Sequence, residues 1–227
     1  MNLDFSIVIN ALPYLWQGMQ YTLQLTATSA VGGLFFGTLL ALARLSSNKI
    51  LSNTAAGYVN LMRSIPLVLV IFWFFFLVPL IAQGITGAER PIQIGAERTA
   101  MITFILFEAA YFCEIMRAGI QSIPRGQVYS AYALGLTYGQ SMRLVILPQA
   151  FRNMIPVLLT QTIILFQDTS LVYVISATDF VGAASKIAQR DSRLIEMYLF
   201  VAVVYFVLCY TLSFLVKRLQ KKIAVIR

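Results

Sequence analysis

The sequence contains no histidine, only two cysteines and few charged residues. Because histidine supplies many general acid–base catalysts and metal ligands, its absence excludes histidine triads and histidine metal sites. The cysteines, Cys113 and Cys209, lie far apart in apolar segments, where we expect buried or lipid-facing thiols. The chain also lacks the G-x-x-x-x-G-K pattern of a phosphate-binding loop, so it should not hydrolyse ATP itself. We therefore expect no enzymatic activity, no metal and no cofactor.

The scarcity of charge indicates a membrane protein. Charged residues make up 11% of the 227 residues and hydrophobic residues 59%, with a mean hydropathy of +0.79. A soluble domain of this length is far less apolar, so we predict an all-α, polytopic membrane protein. The formal net charge of +8 could suggest nucleic-acid binding, but in a membrane protein it favours cytoplasmic loops that face anionic lipid. We expect membrane lipid and no nucleic acid among its partners.

The uncharged runs predict five membrane-spanning helices, since one span needs about 20 apolar residues. We place them at about 19–43, 64–88, 99–118, 156–177 and 197–216, followed by a basic tail over 217–227. Pro13 and Gly18 are expected to break the first apolar run, which leaves residues 1–17 as an interfacial segment. The first ten residues hold an acid but no lysine or arginine, so a cleavable signal peptide is not predicted.

The basic residues predict the orientation of the spans. Most of the 17 lysines and arginines fall in the connection after the first span, in the loop over 123–155 and in the tail. By the positive-inside rule these segments are cytoplasmic. We therefore predict an N-terminus outside the cytoplasm and a C-terminus within it.

Two acidic residues, Glu108 and Asp168, lie inside predicted spans. An ionisable group at membrane depth is costly and usually faces a cavity or a partner, so both are candidates for a substrate path. Asp168 is followed by Thr169 and Ser170, and all three residue types cap helix N-termini. We consider that a half-helix begins here with free N–H groups aimed at a substrate carboxylate, or that Asp168 only caps a kink. The spacing of Glu114 and Arg117 at the end of the third span predicts a structural ion pair.

A loop over 123–155 carries no membrane-length apolar run, and its prolines are expected to end or bend helices. The residues Val128, Ala131, Gly135, Tyr138 and Met142 recur at three- to four-residue steps and predict one helix face with Gly135 at its centre. A glycine in a helix costs about 1 kcal/mol against alanine, so close approach of another surface is one explanation. Packing of a loop helix on its own bundle is the other.

This loop resembles the EAA loop of ABC importer permeases. The matching residues are 126–135 and then 146–150. In that family the loop forms a coupling helix that docks into a groove on the ATPase subunit. The resemblance implies this role for Gly126, Gln127, Tyr129, Ser130, Ala131, Gly135, Leu147 and Pro148. Tyr129 stands where the family has its glutamate, and Ser130 where it has its first alanine.

The resemblance extends over most of residues 18–216. Gln167 and the four residues after it resemble the K-D-T-S-L element of polar amino acid permeases, with glutamine in place of lysine. Further matches are Gly18, Thr22 and Leu23, and the segments 63–67, 107–111 and 114–123. The chain is thus identified as a member of the permease subunits of polar amino acid ABC importers. This implies the type I importer permease fold over 18–216, in the bacterial inner membrane.

The resemblance also implies partners and a cargo. The partners are a homologous permease in a heterodimer, two ATP-binding subunits and a periplasmic amino-acid-binding protein. The pattern is similar to that of glutamate/aspartate importers, and glutamine or a basic amino acid stays open as cargo. Candidate residues of the substrate path are Glu108, Gln161, Gln167, Asp168, Thr169 and Ser170. One arrangement places a substrate carboxylate near the half-helix at Asp168 and its amine near Glu108.

Two other classes of protein stay open at this point. An ion-coupled secondary transporter would use Glu108 and Asp168, but such chains usually have more spans and internal repeats. A non-transporting membrane anchor would only recruit a soluble partner through the loop over 123–155. It predicts that substitutions at Glu108 and Asp168 leave function unchanged.

Overall fold

The computed structural model describes residues 4–91 and 94–223, and within them every regular element is helical. The ends of two predicted segments, residues 1–3 of the interfacial segment and 224–227 of the basic tail, lie outside the described residues. The helices are α1 (Ser6–Arg44), α2 (Lys49–Ser64), α3 (Leu67–Phe72), α4 (Val78–Thr86), α5 (Ala96–Gln121), α6 (Arg125–Ala133), α7 (Tyr138–Ser141), α8 (Leu147–Asp168), α9 (Phe180–Arg190) and α10 (Leu194–Ile223). Two π-helical segments and one 3₁₀ helix join some of them end to end.

Five stretches in the described part are long and apolar enough to span a membrane, which confirms the predicted number. They are Ser6–Arg44, Leu67–Thr86, Ala96–Gln121, Tyr138–Ile175 and Leu194–Ile223. The predicted break in the first run is wrong, because α1 continues through Pro13 and Gly18 as one helix of 39 residues. Proline removes one N–H and one helical hydrogen bond, but here the rest of the helix carries on around it.

The two π-helical segments, Trp73–Leu77 and Met142–Ile146, each end two residues before a proline. The N–H of Val78 donates to the carbonyl of Trp73, and the N–H of Leu147 to that of Met142, five residues back in each case. A proline donates no hydrogen bond and its ring crowds the preceding turn, so a widened turn accommodates it. Pro79 and Pro148 therefore distort their helices without breaking the chain of helical turns.

The helices α1 and α5 pack side by side and form the centre of the bundle. A Cβ atom built on Gly33 would lie 2.8 Å from Cβ of Glu108, and one on Gly37 would lie 3.0 Å from the carbonyl oxygen of Ala109. The absence of a Cβ at these glycines therefore allows α1 and α5 to approach closely. Because both residue numbers rise together along the contact, the two helices run parallel.

The short helices α2 and α9 hold the ends of this bundle. From α2, Val59 is buried, and the Tyr58 hydroxyl donates to the carbonyl of Leu106 in α5 at 2.8 Å. From α9, the backbone N–H of Phe180 donates to the Thr22 hydroxyl of α1 at 3.0 Å. The packing thus fixes α5, which carries Glu108, and its neighbour α1 at the two ends of the bundle.

Candidate functional site

Glu108 is fully buried halfway along α5 and is held from α8. Its two carboxylate oxygens accept hydrogen bonds from the side-chain amide of Gln161 at 3.1 and 3.3 Å. A buried polar group without a partner is strongly destabilising, so this contact explains how Glu108 is tolerated in the bundle. The two predicted path residues form one unit across two helices.

One face of α8 carries both Gln161 and the second acidic candidate, Asp168. Met154, Val157, Gln161 and Asp168 follow each other at steps of three, four and seven residues, so they share one helix face. Asp168 is half-buried and lies two turns beyond Gln161 on this face. The face of α8 that holds Glu108 through Gln161 therefore also carries a second carboxyl group, that of Asp168.

Two other predicted path residues lie apart from this unit. Gln167 is exposed and borders a groove with Tyr205 and Cys209 of α10. The Thr169 hydroxyl is buried and donates to the carbonyl of Phe166 at 2.7 Å, so its proton is used within its own helix. Ser170 is half-buried and makes no hydrogen bond recorded in the described residues.

The predicted half-helix is wrong. At Thr169 the backbone changes from α to a 3₁₀ helix, Thr169–Ile175, but it stays helical. The side chain of Asp168 caps nothing, and the N–H of Thr169 donates to the carbonyls of Leu165 and Gln167. Threonine hydroxyls can bond back to their own helix, and Thr169 does so where an N-cap was expected. No set of free N–H groups faces the bundle at this point.

A cluster of arginines that the sequence reasoning missed surrounds Glu114 where α1, α2 and α5 meet. The predicted ion pair is there: the Arg117 guanidinium lies 2.5 Å from a Glu114 carboxylate oxygen. Arg44 also pairs with Glu114, and Arg63 approaches it at 3.8 Å. These partners come from helices far apart in sequence, so no spacing rule could have found them. Three guanidinium groups therefore meet one carboxylate.

This cluster borders a cavity of about 420 Å³ between α2, α5 and α8. Its polar wall is formed by Arg63, Tyr111, Glu114, Ser122, Asn153 and Gln161. Gln161 is shared with the Glu108 unit, so the cavity and that unit are continuous. The guanidinium carbon of Arg63 lies 5.4 Å from the centre of the Tyr111 ring, a cation–π distance that holds the side chain over the cavity.

The predicted coupling loop is exposed and its helix is shorter than expected. Gly135 has a φ of +77° and does not lie within a helix. Its N–H donates to the carbonyl of Tyr132, and the N–H of Leu136 to that of Ala131, which is the Schellman ending of α6. The predicted helix through Gly135 is therefore wrong, and this glycine does not pack on the bundle, because nothing in the described residues lies within 4 Å of the position of a Cβ. Close approach of an ATP-binding subunit to this position stays a prediction. The left-handed conformation at a helix end explains the glycine instead.

The outer face of the loop carries large side chains. Tyr129, Leu134 and Tyr138 are 63%, 81% and 69% exposed. Gly126, Gln127, Ser130 and Pro148 are also exposed, Leu147 is half-buried, and Ala131 is buried against the bundle. The loop thus presents an apolar and aromatic surface, and Tyr129 stands in its middle.

A second feature that sequence reasoning missed is Asp179, which is fully buried at the start of α9. Its carboxylate accepts hydrogen bonds from the N–H groups of Val181 and Gly182 at 3.0 and 2.8 Å, as an N-cap. Its carbonyl would lie 2.6 Å from a Cβ on Gly18, so only glycine fits there. Burial raises the pKa of the Asp179 carboxyl to about 6, while the two backbone hydrogen bonds oppose that rise.

The chain matches known proteins over almost its whole length. Residues 33–225 match the family model described as "Binding-protein-dependent transport system inner membrane component". The sequence is 51% identical over 221 residues to the glutamate/aspartate import permease protein GltK of Escherichia coli O157:H7, covering 97% of this chain and 98% of that protein. It is 33% identical to the arginine transport system permease protein ArtQ of Bacillus subtilis, covering 98% of each.

The fold matches a solved structure as well. A crystal structure of an amino acid ABC transporter with histidines contains a chain of the same fold, with a TM-score of 0.89 and 30% sequence identity. The match covers 98% of this chain and 100% of that chain. The predicted type I importer permease fold is thereby confirmed.

Proposed function

The chain belongs to the family of binding-protein-dependent transport system inner membrane components, and from this we propose that it moves glutamate or aspartate inward through an ATP-driven importer. It is a multi-pass inner-membrane permease for polar amino acids, and its family works with ATP-binding and periplasmic binding partners. The observation that carries the choice of cargo is the 51% identity to a glutamate/aspartate permease. Identity to the arginine permease is only 33%, so a basic amino acid is the weaker alternative.

The substrate path that we propose runs between α5 and α8. The Glu108 carboxylate suits the ammonium group that every α-amino acid carries, and the Gln161 amide holds that carboxylate in position. Asp168 lies two turns further along the same face of α8 and extends the acidic part of the path. An acidic cargo carries two carboxylates besides its ammonium group, so the path also needs a positively charged group. The free N–H groups of the predicted half-helix would have served instead, but that half-helix does not form.

The driving machinery lies in other subunits. We propose that two ATP-binding subunits hydrolyse ATP and that one of them holds the exposed loop around Tyr129 and Leu134. Closure of the ATP-binding pair moves this loop, and the bundle changes the side to which it opens. A homologous permease completes a heterodimer. Residues 18–216 form the permease domain, between an N-terminal segment over 1–17 and the basic tail over 217–227.

Reconstitution of the whole complex tests this function. Proteoliposomes containing the chain, its sister permease and the ATP-binding subunits, with the binding protein added, should accumulate labelled glutamate or aspartate only when ATP is present. Uptake should survive an ionophore that collapses ion gradients, since no gradient drives it. Uptake that needs a gradient and ignores ATP would contradict the proposal and favour a secondary transporter. Competition by unlabelled glutamine and arginine then defines the cargo.

The membrane-anchor alternative is tested in the same vesicles. It requires that Glu108→Gln and Asp168→Asn leave the measured activity of the complex unchanged. The proposed path requires that at least Glu108→Gln slows uptake while the complex still assembles.

A further inference from the structure

We propose that the cavity between α2, α5 and α8 is a carboxylate subsite of the transport path, with Arg63 as the cation that binds the cargo. The inference rests on the proposed function, because it assumes that the cargo passes along α5 and α8. It supplies the positively charged group that the path along Glu108, Gln161 and Asp168 lacks.

The charges around the cavity favour an anion. Three guanidinium groups, from Arg44, Arg63 and Arg117, surround the single carboxylate of Glu114. Arg117 donates to Glu114 at 2.5 and 3.2 Å, and Arg44 pairs with the same group. The carboxylate of Glu114 is therefore already engaged by two partners. The three guanidinium groups and the one carboxylate leave a net positive charge, and Arg63 carries the part of it that is not hydrogen-bonded to Glu114.

Arg63 differs from the other two arginines in geometry. Its Nη1 atom lies 3.8 Å from the nearest Glu114 oxygen, beyond hydrogen-bond distance. Within residues 4–91 and 94–223 its guanidinium group makes no hydrogen bond. Its side chain is 39% exposed, against 15% for Arg44 and 26% for Arg117. The ring of Tyr111 holds its position without using the N–H donors. A planar group with free, pre-positioned donors is suited to bind a carboxylate in a bidentate manner.

The rest of the wall provides space and a second charge for an amino acid. The cavity holds about 420 Å³, which lies within the range of small-molecule sites. Glu108 and Tyr111 are one turn apart on α5, and Gln161 reaches both Glu108 and the cavity wall. A cargo with its side-chain carboxylate on Arg63 can therefore place its ammonium group toward Glu108. The same cavity would discriminate an acidic side chain from a neutral amide of equal size.

The first test uses the unmodified complex and an arginine-selective reagent. Phenylglyoxal is applied to the assembled complex without nucleotide, and modification at each arginine is followed by mass spectrometry. L-Glutamate should slow modification of Arg63 about tenfold, since one charge-assisted pair corresponds to about that factor. L-Glutamine should protect little, and the exposed Arg218, which lies near the end of α10 outside the cavity, should react at one rate throughout.

The second test uses variants in the reconstituted transport assay. Arg63→Gln should lower the rate of glutamate uptake about tenfold, while the ATPase activity stimulated by loaded binding protein is retained. Arg63→Lys should fall between, because it keeps the charge and loses the planar fork. Arg218→Gln is the matched control, since Arg218 also stacks on an aromatic ring, that of Phe214, but lies outside the cavity, and it should leave uptake unchanged. If Arg63→Gln does not assemble, the labelling of the unmodified complex decides.

The outcomes separate this inference from the proposed function. If the unmodified complex imports glutamate while glutamate fails to protect Arg63, the subsite is wrong and the function stands. If protection follows the content of anionic phospholipid and not glutamate, the cavity binds a lipid headgroup and the proposal is overturned. If the unmodified complex imports no polar amino acid with ATP, the proposed function itself fails.

Discussion

The side-chain amide of Gln161 donates to both carboxylate oxygens of Glu108, at 3.1 and 3.3 Å, and so joins α8 to α5 in the middle of the bundle. Glu108 is itself buried against Gly33 of α1. Through Glu108, α5 is therefore in contact with both α8 and α1. Gln161 also lines the cavity that Arg63 borders, so the contact links that cavity to the candidate path. Any movement of α8 relative to α5 has to break or shift this contact.

We predict opposite effects for substitutions at the two ends of this contact. Glu108→Gln keeps the shape and a hydrogen-bonding side chain, so the thermal unfolding midpoint should stay close to wild type while glutamate uptake falls strongly. Gln161→Leu leaves a buried carboxyl group without its partner and should lower the free energy of unfolding by about 1–3 kcal/mol. Thermal unfolding in detergent and uptake in proteoliposomes measure the two effects. Equal losses of uptake and stability in Glu108→Gln would contradict a transport role for its charge.

The sequence predicted what local rules and hydrophobicity determine. Five apolar runs became five candidate spans, and the three-residue spacing of Glu114 and Arg117 became an ion pair in one helix. The contacts of Arg44 and Arg63 with Glu114 come from other helices, and only the packed bundle creates them. For the same reason the sequence showed an acidic group inside a span but not the cation beside the path.

The predicted half-helix at Thr169 and the predicted helix through Gly135 are wrong because the same local signal has another meaning in the packed bundle. The threonine after Asp168 was interpreted as a helix cap, but in an apolar bundle its hydroxyl bonds back to the carbonyl of Phe166. Gly135 was assigned to the middle of a helix because apolar residues recur around it. Gly135 follows the C-cap residue of α6, which is where a glycine commonly ends a helix, and the sequence alone could have indicated this ending.

The helix ending at Gly135 leads to a prediction about coupling. Gly135→Ala forces a Cβ into a left-handed conformation, which costs about 1–2 kcal/mol and should loosen the loop. ATPase activity stimulated by loaded binding protein should fall, while Gly135→Asn, the residue next best suited to this conformation, should keep more of it. Gly57→Ala is the matched control, because Gly57 lies in α2 outside the coupling loop and has an ordinary backbone conformation and open space around it. Equal activity of the three variants would show that the helix ending does not matter for coupling.

The buried Asp179 leads to a prediction about pH. Its pKa lies near 3.8 in an unfolded chain and is raised to about 6 in the folded chain by burial. The folded state therefore binds the proton more tightly, so its stability is highest below pH 4 and falls as the pH rises to about 6. The loss amounts to about 3 kcal/mol at most. Asp179→Asn keeps an oxygen that accepts from Gly182 and should remove this part of the pH dependence.

Thermal unfolding midpoints between pH 4 and pH 7 provide the measurement for Asp179. Asp191→Asn is the control, since the hydrogen bond from Arg190 lowers the pKa of Asp191 and the side chains are exposed. Its pH profile should follow that of the wild-type protein above pH 5. Parallel profiles for Asp179→Asn and wild type would mean that Asp179 does not set the slope.

The orientation of the chain leads to a prediction about accessibility from the two sides of the membrane. The loop over 123–155 and the segment between Arg44 and Arg63 carry many of the basic residues, and the positive-inside rule places them in the cytoplasm. Cys113 and Cys209 are both buried, so a background without reactive thiols is available by replacing them with alanine. On that background Ser130→Cys lies in the exposed coupling loop, and Glu89→Cys lies in the exposed connection between α4 and α5.

A membrane-impermeant maleimide applied to intact cells should label Glu89→Cys at once and Ser130→Cys only after the membrane is permeabilised. The candidate span α5 lies between these two sites in the chain, so they lie on opposite sides of the membrane if α5 crosses it. Labelling of Ser130→Cys from outside would invert the bundle and put the loop beyond the reach of any cytoplasmic ATPase. Because the coupling role depends on that reach, this result would contradict the proposed mechanism even if the fold were unchanged.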